Sequence, residues 1–450
     1  MTAIASRGYL SWGRNLRAEH WVERPSTPAA AARLAAAPMA GRTRLGVGCG
    51  RSYGDAGLNP DGELIEMRPL DRFISFDRET GILEAEAGLR LADILAVLAR
   101  PEADGAGWFL PVTPGTRYVT LGGAVANDVH GKNHHRAGSF GRHVLGFDLA
   151  RSDGRALACS PSQNAELFAA TIGGLGLTGL LLRVRLQLLR VPGLAMEAED
   201  LRFGGLDEYF AIAAQSDEEW DYTAAWVDCL ADGDAMGRGI FSRARPAPGQ
   251  GALPPSLEPR RNLPATPPLS AVNSLSLRAF NALYLRRLGS SGRSHRVGGY
   301  EGVLYPLDAV GGWNKLYGPR GFHQFQCAVP PSDARDVVAA LLREISRSGQ
   351  GSPLVVLKGF GNLPSPGLLS FPMPGTTLAL DFPARGDETL RLLSRLEAIT
   401  VEAQGRLYPA KDSVMSADTF QRGYTKLDIF RPWIDPAFAS GFSRRVGLTP

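Results

Sequence analysis

The stretch GGLGLTG at residues 173–179 carries a G-x-G-x-x-G on Gly174, Gly176 and Gly179, and its reading decides the fold. A dinucleotide-binding Rossmann fingerprint follows a strand and opens a helix, because the pyrophosphate rests on the helix N-terminus. Here the order is reversed. AELFAAT (165–171) before it has helical periodicity, and LLLRVRLQLL (180–189) after it alternates apolar residues with Arg183, Arg185 and Gln187, the pattern of a half-buried strand. The spacing predicts a helix-to-strand corner, where glycines let a flat ligand approach the backbone, and it argues against an NAD-binding Rossmann domain.

Outward from that corner, residues 45–190 read as short strands between turn residues. Helical periodicity is convincing only over 89–100 and 164–171, and hairpins are expected at Thr80-Gly81 and Asp153-Gly154. After VPG (191–193) the texture changes. Residues 245–268 are so rich in proline that neither helix nor ladder is expected to persist, which predicts an exposed, mobile loop. Beyond it the pattern gives strands at 322–329, 354–358 and 377–382 and helices at 333–348 and 387–403, a sheet covered by helices. The fold class is therefore α+β in two domains: 1–193, completed by 406–450, and 194–405.

Composition narrows the function. The chain of 450 residues has 49 Lys and Arg against 45 Asp and Glu, a net +4, too balanced for a dedicated nucleic-acid or membrane-surface binder. The four cysteines, 49, 159, 229 and 327, lie far apart with no CxxC spacing, which speaks against a disulfide framework or a structural zinc and makes a reducing compartment the default. Residues 1–15 lack the apolar core of a secretory signal, and no long apolar run occurs elsewhere, so a soluble chain is expected. Glycine is the outlier, with 53 residues gathered largely in a few loops.

Two of those loops carry candidate chemistry. In GVGCGRSYGD (46–55), glycines at 46, 48, 50 and 54 leave backbone amides bare, a nest for phosphate oxygens; a plain tight turn is the alternative. PGTRYVTLGGAVANDVHGKNHHRAGSFG (114–141) packs a glycine pair, His130, His134, His135 and Lys132 into one loop. These histidines share no helical face and no thiolate completes a set, so no metal is expected. Lysine is scarce: only 132, 315, 358, 411 and 426 stand among 44 arginines. A lysine that survives this bias is a candidate for a compact or titratable cation, above all Lys132 in HGKNHH and Lys411 in LYPAKDS. His130 is a candidate acid or base by its titration range.

The chain resembles the vanillyl-alcohol-oxidase-type flavoproteins, and within them the decaprenylphosphoryl-ribose 2-oxidases. The resemblance runs through SWGR (11–14), GRSYGD (50–55), 114–141, 173–179, YPLD (305–308), GWNKLYGP (312–319), HQFQ (323–326), LDFP (380–383) and GRLYPAKDS (405–413). It implies that one domain binds FAD and the second roofs the isoalloxazine ring. Gly46, Gly48, Gly50, Arg51, Ser52, Tyr53, Gly54 and Asp55 would belong to the pyrophosphate loop. Gly115, Thr120, Gly122, Gly123, Asn127 and His130 would line the rest, with Leu181 at the adenosine and Tyr408 near the flavin. Arg51 stands where covalent flavoproteins often carry the linking histidine, so non-covalent FAD is implied.

The same resemblance places Lys132, Gln324, Gln326 and Lys358 at the substrate, with Lys411, His130 and Tyr53 as the candidates that handle the proton. Gln324 and Gln326, two apart on one strand, share a face. Asn127 and Ala379 replace cysteines of the best-known members, so thiol-directed inhibition is not expected to carry over; Thr377 replaces an asparagine and the proline-rich loop at 245–268 diverges, both on the expected substrate side. The implied activity is oxidation of the 2-hydroxyl of a polyprenyl-phosphoryl-ribose. A separate short-chain NAD(P)H-dependent reductase is the implied partner, in the cytoplasm or peripheral to the inner membrane. An aldonolactone or alditol oxidase acting on a soluble sugar is the alternative enzyme, and a flavin- or sugar-binding module without turnover the alternative class. His130, Lys132 and Lys411 together weigh against the latter.

Overall fold

The computed structural model describes residues 4–248, 259 and 261–450, and for 4–7 the backbone alone. The first loop and the helix-to-strand corner hang from two small sheets. One has the order Ile4–Leu10, Arg17–Glu23, Glu63–Glu66, Arg44–Val47, its first pair antiparallel and the other two parallel. The other is antiparallel, in the order Phe73–Asp77, Ile82–Glu86, Leu180–Gln187, Val144–Ala150, Ala156–Cys159. Both expected hairpins form, with Gly81 at φ +73° and Gly154 at φ +83°, values that only glycine adopts cheaply.

The corner also forms as the sequence predicts. The helix Ala165–Thr171 ends, Gly173, Gly176 and Gly179 take φ of +70°, +76° and +140°, and Leu180–Gln187 begins. In that strand Leu180, Val184 and Leu186 are buried, while Arg185 is exposed. The expected helix at 89–100 is shorter, Leu91–Leu98; it stops at Ala99, whose ψ of 6° leaves the helical range, two residues short of Pro101, which disfavours helical backbone in the residue before it.

Among the described residues the third large sheet has eight strands, in the order Arg293–Gly299, Ala195–Phe203, Gly239–Ala247, Tyr222–Val227, Val355–Phe360, Gly375–Pro383, Phe322–Val329, Arg406–Leu407. Leu206–Ser216, Ala334–Ser348 and Asp387–Glu402 cover one face, burying Val338, Leu341, Leu342, Leu392 and Leu396 against Leu357, Leu378, Leu380 and Cys327. The side chains that alternate with these point to the other face, which closes a cleft against the two smaller sheets.

One expectation fails. The ladder does enter the proline-rich stretch: Arg245, Pro246 and Ala247 pair with Glu197, Met196 and Ala195. Proline is tolerated there because Tyr222–Val227 pairs no further than Ala244, which leaves the end of the strand an edge. Further on, Arg261–Asn262 pairs with Val310–Gly311. The loop expected at 249–258 and at 260 lies outside the described residues. Among the described residues no helix is long and apolar enough to cross a membrane.

Candidate functional site

The cleft has a volume of about 390 Å³. Its first wall is the loop that leaves Arg44–Val47. Gly48 lies so close to Thr120 that a Cβ would sit 2.2 Å from its Oγ1, and a Cβ on Gly46 would sit 2.7 Å from Leu180 Cδ1. These glycines press the loop against the helix Leu121–Ala126, whose N-terminus Thr120 caps by accepting from the Gly123 amide at 3.2 Å. Gly50 (φ +59°) and Gly115 face open space, with no atom within 4 Å of where a Cβ would be. Arg51 donates to the Cys49 carbonyl at 2.9 Å and lays its guanidinium 4.1 Å over the Trp12 ring.

The structure brings Gly46, Gly48, Gly50, Arg51, Ser52, Tyr53, Gly115, Thr120, Gly122, Gly123, Asn127, His130, Leu181, Tyr408, Lys132, Gln324, Gln326, Lys358 and Lys411 onto this one cleft. Gly54 and Asp55 are not on it. Gly54 backs onto Asp412, leaving no room for a Cβ, and Asp55 takes two hydrogen bonds from Arg445, at 2.9 and 2.7 Å. Arg445 also reaches Asp412 at 2.9 Å, so this pair braces the loop from behind against the C-terminal segment.

The opposite wall is the open face of three adjacent strands. Register sets Gln324 opposite Asp381, Gln326 opposite Ala379, and Lys358 opposite Thr377. Gln324 Nε2 donates to Asp381 Oδ1 at 2.7 Å, and its Oε1 is buried without a partner. Gln326 Nε2 donates to His130 Nε2 at 3.0 Å, which puts the ring proton on Nδ1, also buried and unpartnered. His130 is boxed by Phe360, Phe371 and Tyr408, with ring centroids 5.0 to 5.4 Å away. Burial, reinforced by Lys358, His134 and Lys411, holds its pKa well below the usual histidine value, so it is neutral. The Tyr408 hydroxyl donates to the Asn127 carbonyl at 3.1 Å.

Three amines converge here. Lys132 donates to the Val303 carbonyl at 2.5 Å, and burial pushes it down to about 8. Lys358 donates to the Gly131 carbonyl at 3.0 Å and is pushed down to about 7 by burial, then by Lys132 and Lys411. The Lys411 amine lies 3.6 Å over the Tyr53 ring; burial lowers its pKa, and Asp381 pulls the other way. Burial raises Asp381 in turn, so both partners move toward the neutral range. Burial lifts Tyr53 well above the ordinary phenol value.

Asp381 is the residue that sequence reasoning missed. It stood in LDFP, too short to weigh, and only the pairing of Gly375–Pro383 with Phe322–Val329 sets it beside Gln324. Trp12 and Ala379 also line the cleft without having been assigned to it, and Thr377 lies there too, where the resemblance put it on the substrate side.

Comparison with known proteins agrees with this geometry. A family model described as a FAD binding domain matches residues 21–160. The chain is similar to the decaprenylphosphoryl-beta-D-ribose oxidase of Mycolicibacterium smegmatis, 35% identical over 98% of this chain and 97% of that protein. It is 38% identical to an uncharacterized protein of Streptomyces coelicolor over 76% of this chain and 96% of the other. L-gulonolactone oxidase of Mus musculus is 34% identical, but over only 31% of this chain and 30% of its own.

The residues present fit a flavin dinucleotide. Gly50 and Gly115 leave a cradle that side chains would fill, next to amides bared for phosphate. His130 Nδ1 and Gln324 Oε1 are buried polar atoms still lacking partners.

Proposed function

Starting from the chain's membership in the decaprenylphosphoryl-ribose oxidase family of FAD-binding oxidoreductases, we propose that it oxidises the 2-hydroxyl of a polyprenyl-phosphoryl-ribose to the ketone. The observation that carries this reading is the set of three amines, Lys132, Lys358 and Lys411, gathered with the Gln324 and Gln326 amides in the one FAD cleft. Amides suit sugar hydroxyls, and the amines suit a phosphoryl group and a proton to be moved.

FAD would be held by the loop at 46–53, by Gly115, by Thr120 to Asn127 and by Leu181, and when bound it accepts the hydride from the carbinol carbon. The attachment is non-covalent, since Arg51 occupies the linking position and is engaged with Trp12 and Cys49. The hydroxyl proton goes to the protein. Tyr53 holds its own proton too tightly to serve as a base, and His130 already uses Nε2 as the acceptor of the Gln326 bond. That leaves Lys411, neutral for part of the time because it is buried, with Asp381 beside it to stabilise the ammonium once formed. Lys132 and Lys358 hold the phosphoryl oxygens. A ketone at this carbon is reduced from the opposite face to complete an inversion, so the reaction calls for a separate nicotinamide-dependent reductase.

Product analysis tests the reading. A polyprenyl-phosphoryl-ribose incubated with the FAD-loaded protein and an artificial electron acceptor should give a 2-keto sugar that borohydride returns as a mixture of ribo and arabino forms. Oxidation of a free aldonolactone or alditol, with the lipid-linked sugar recovered unchanged, would overturn it.

A further inference from the structure

The near-balance of charge over the whole chain conceals one lopsided region. Between Arg261 and Tyr300 there are six arginines and no aspartate or glutamate; Arg287 and Arg296 are paired with Asp200 of the adjacent strand, which leaves Arg261, Arg278, Arg286 and Arg293 to give the region its positive charge. The centre of this region is the helix Ser274–Arg286, opened by a capping box from Asn273. Its inner face is firmly seated. Leu277 and Asn281 are buried, Asn281 Nδ2 donates to Asp228 Oδ1 at 2.5 Å, and Tyr284 packs on Trp226 with centroids 4.7 Å apart.

The outer face is unusual. Leu275, Ala279 and Leu283 recur every four residues and so form one stripe along the helix. Leu275 is 78% exposed and Leu283 68%, and Leu269, just before the helix, is 79% exposed. Arg278 flanks the stripe and Arg286 ends it, and among the described residues neither has an acidic partner. Large leucines standing this far into water on a well-seated helix call for a cover.

We propose that this face is where the protein docks on an anionic lipid bilayer. Leucines on one stripe, bordered by arginines whose long stems reach past them to headgroups, are the make-up of a helix that lies in a membrane interface. Anionic lipids match the charge, whereas a second copy of the chain packed here symmetrically would set Arg278 and Arg286 against themselves. Position agrees as well. Arg261–Asn262 pairs with Val310–Gly311 at the rim of the cleft, and the segment then passes Leu316, whose carbonyl accepts from Ala271, on its way to the helix. The segment that leads into the docking helix thus starts beside residues that line the cleft. The inference stands on this surface rather than on the substrate proposed above, though it would give a lipid-linked sugar its route.

Vesicle co-sedimentation of the FAD-loaded protein tests it without any substrate. Binding to vesicles of equimolar phosphatidylcholine and phosphatidylglycerol should be about tenfold or more tighter than to phosphatidylcholine alone, and should weaken as salt is added. Leu275→Asp with Leu283→Asp should lose that binding about tenfold while keeping the flavin spectrum and turnover of a short-chain, water-soluble substrate analogue. Arg278→Ser with Arg286→Ser should remove the preference for anionic vesicles. No such preference in the parent protein, or a doubly aspartate-substituted protein that binds as the parent does, would overturn the proposal. So would a leucine-dependent dimer in sedimentation velocity, which would assign the face to a second copy.

Discussion

Lys411 and Asp381 share a proton problem, because each is buried and each makes ionisation of the other cheaper. If Lys411 accepts the hydroxyl proton, flavin reduction by substrate must rise with pH as the amine is freed, with an apparent pKa in the neutral range that belongs to the pair. Asp381→Asn removes the charge that favours the ammonium, so the profile should move to lower pH, as rapid-mixing measurements across pH would show. Lys358 makes a separate prediction for stability. Its folded pKa, about 7, lies below the 10.5 of a free lysine, so between these values the unfolded chain holds a proton that the folded chain releases. Stability therefore rises with pH across that window, by at most about 1.4 kcal/mol per pH unit for this one group. The melting temperature of the FAD-free protein should climb from pH 7.5 to 9 less steeply in Lys358→Met than in the parent. The lysines were legible as candidates because arginine is the default cation of this chain. Their coupling was not, since Asp381 meets Lys411 only through strand pairing.

Among the elements, the first loop depends on contacts in front and behind. Gly48→Val would drive a side chain into Thr120, whose oxygen and methyl lie 2.2 and 2.9 Å from the Cβ position, and part the loop from the helix Leu121–Ala126 that Thr120 caps. FAD content per protein, read from the visible absorbance, should fall about tenfold or more at limiting FAD, a loss of roughly 1.4 kcal/mol. Behind the loop, Arg445→Met leaves the Asp55 and Asp412 carboxylates facing each other with no cation between them. A destabilisation of about 3 kcal/mol is expected, measurable by denaturant unfolding. Element reading from sequence went well where periodicity is local. The strand Phe322–Val329 and the corner at 173–179 fall where expected, because alternation and positive-φ glycines are properties of the chain itself. It went wrong at Pro246, where a proline was expected to end a ladder. Whether a strand tolerates proline depends on how far its neighbour extends, and no single stretch of sequence contains that information.

At the scale of the whole molecule, two smaller sheets and the large sheet hold opposite walls of one cleft, so the amines at 132, 358 and 411 meet although they are far apart in the chain. The cofactor was legible in the glycine loops, whose residues carry the resemblance. The brace by Arg445 and the leucine stripe on Ser274–Arg286 were not legible, because partner choice and exposure arise only on folding. With Arg51 at the linking position, acid precipitation of the holoprotein should release all of its yellow colour into the supernatant, and a coloured pellet would contradict non-covalent attachment. The most direct test of the central claim is anaerobic mixing of the FAD-loaded protein with a polyprenyl-phosphoryl-ribose while the visible flavin band is followed. Bleaching in a single turnover is expected, which a free aldonolactone or alditol does not produce. A flavin that stays yellow with the lipid-linked sugar and bleaches with the soluble one would contradict it.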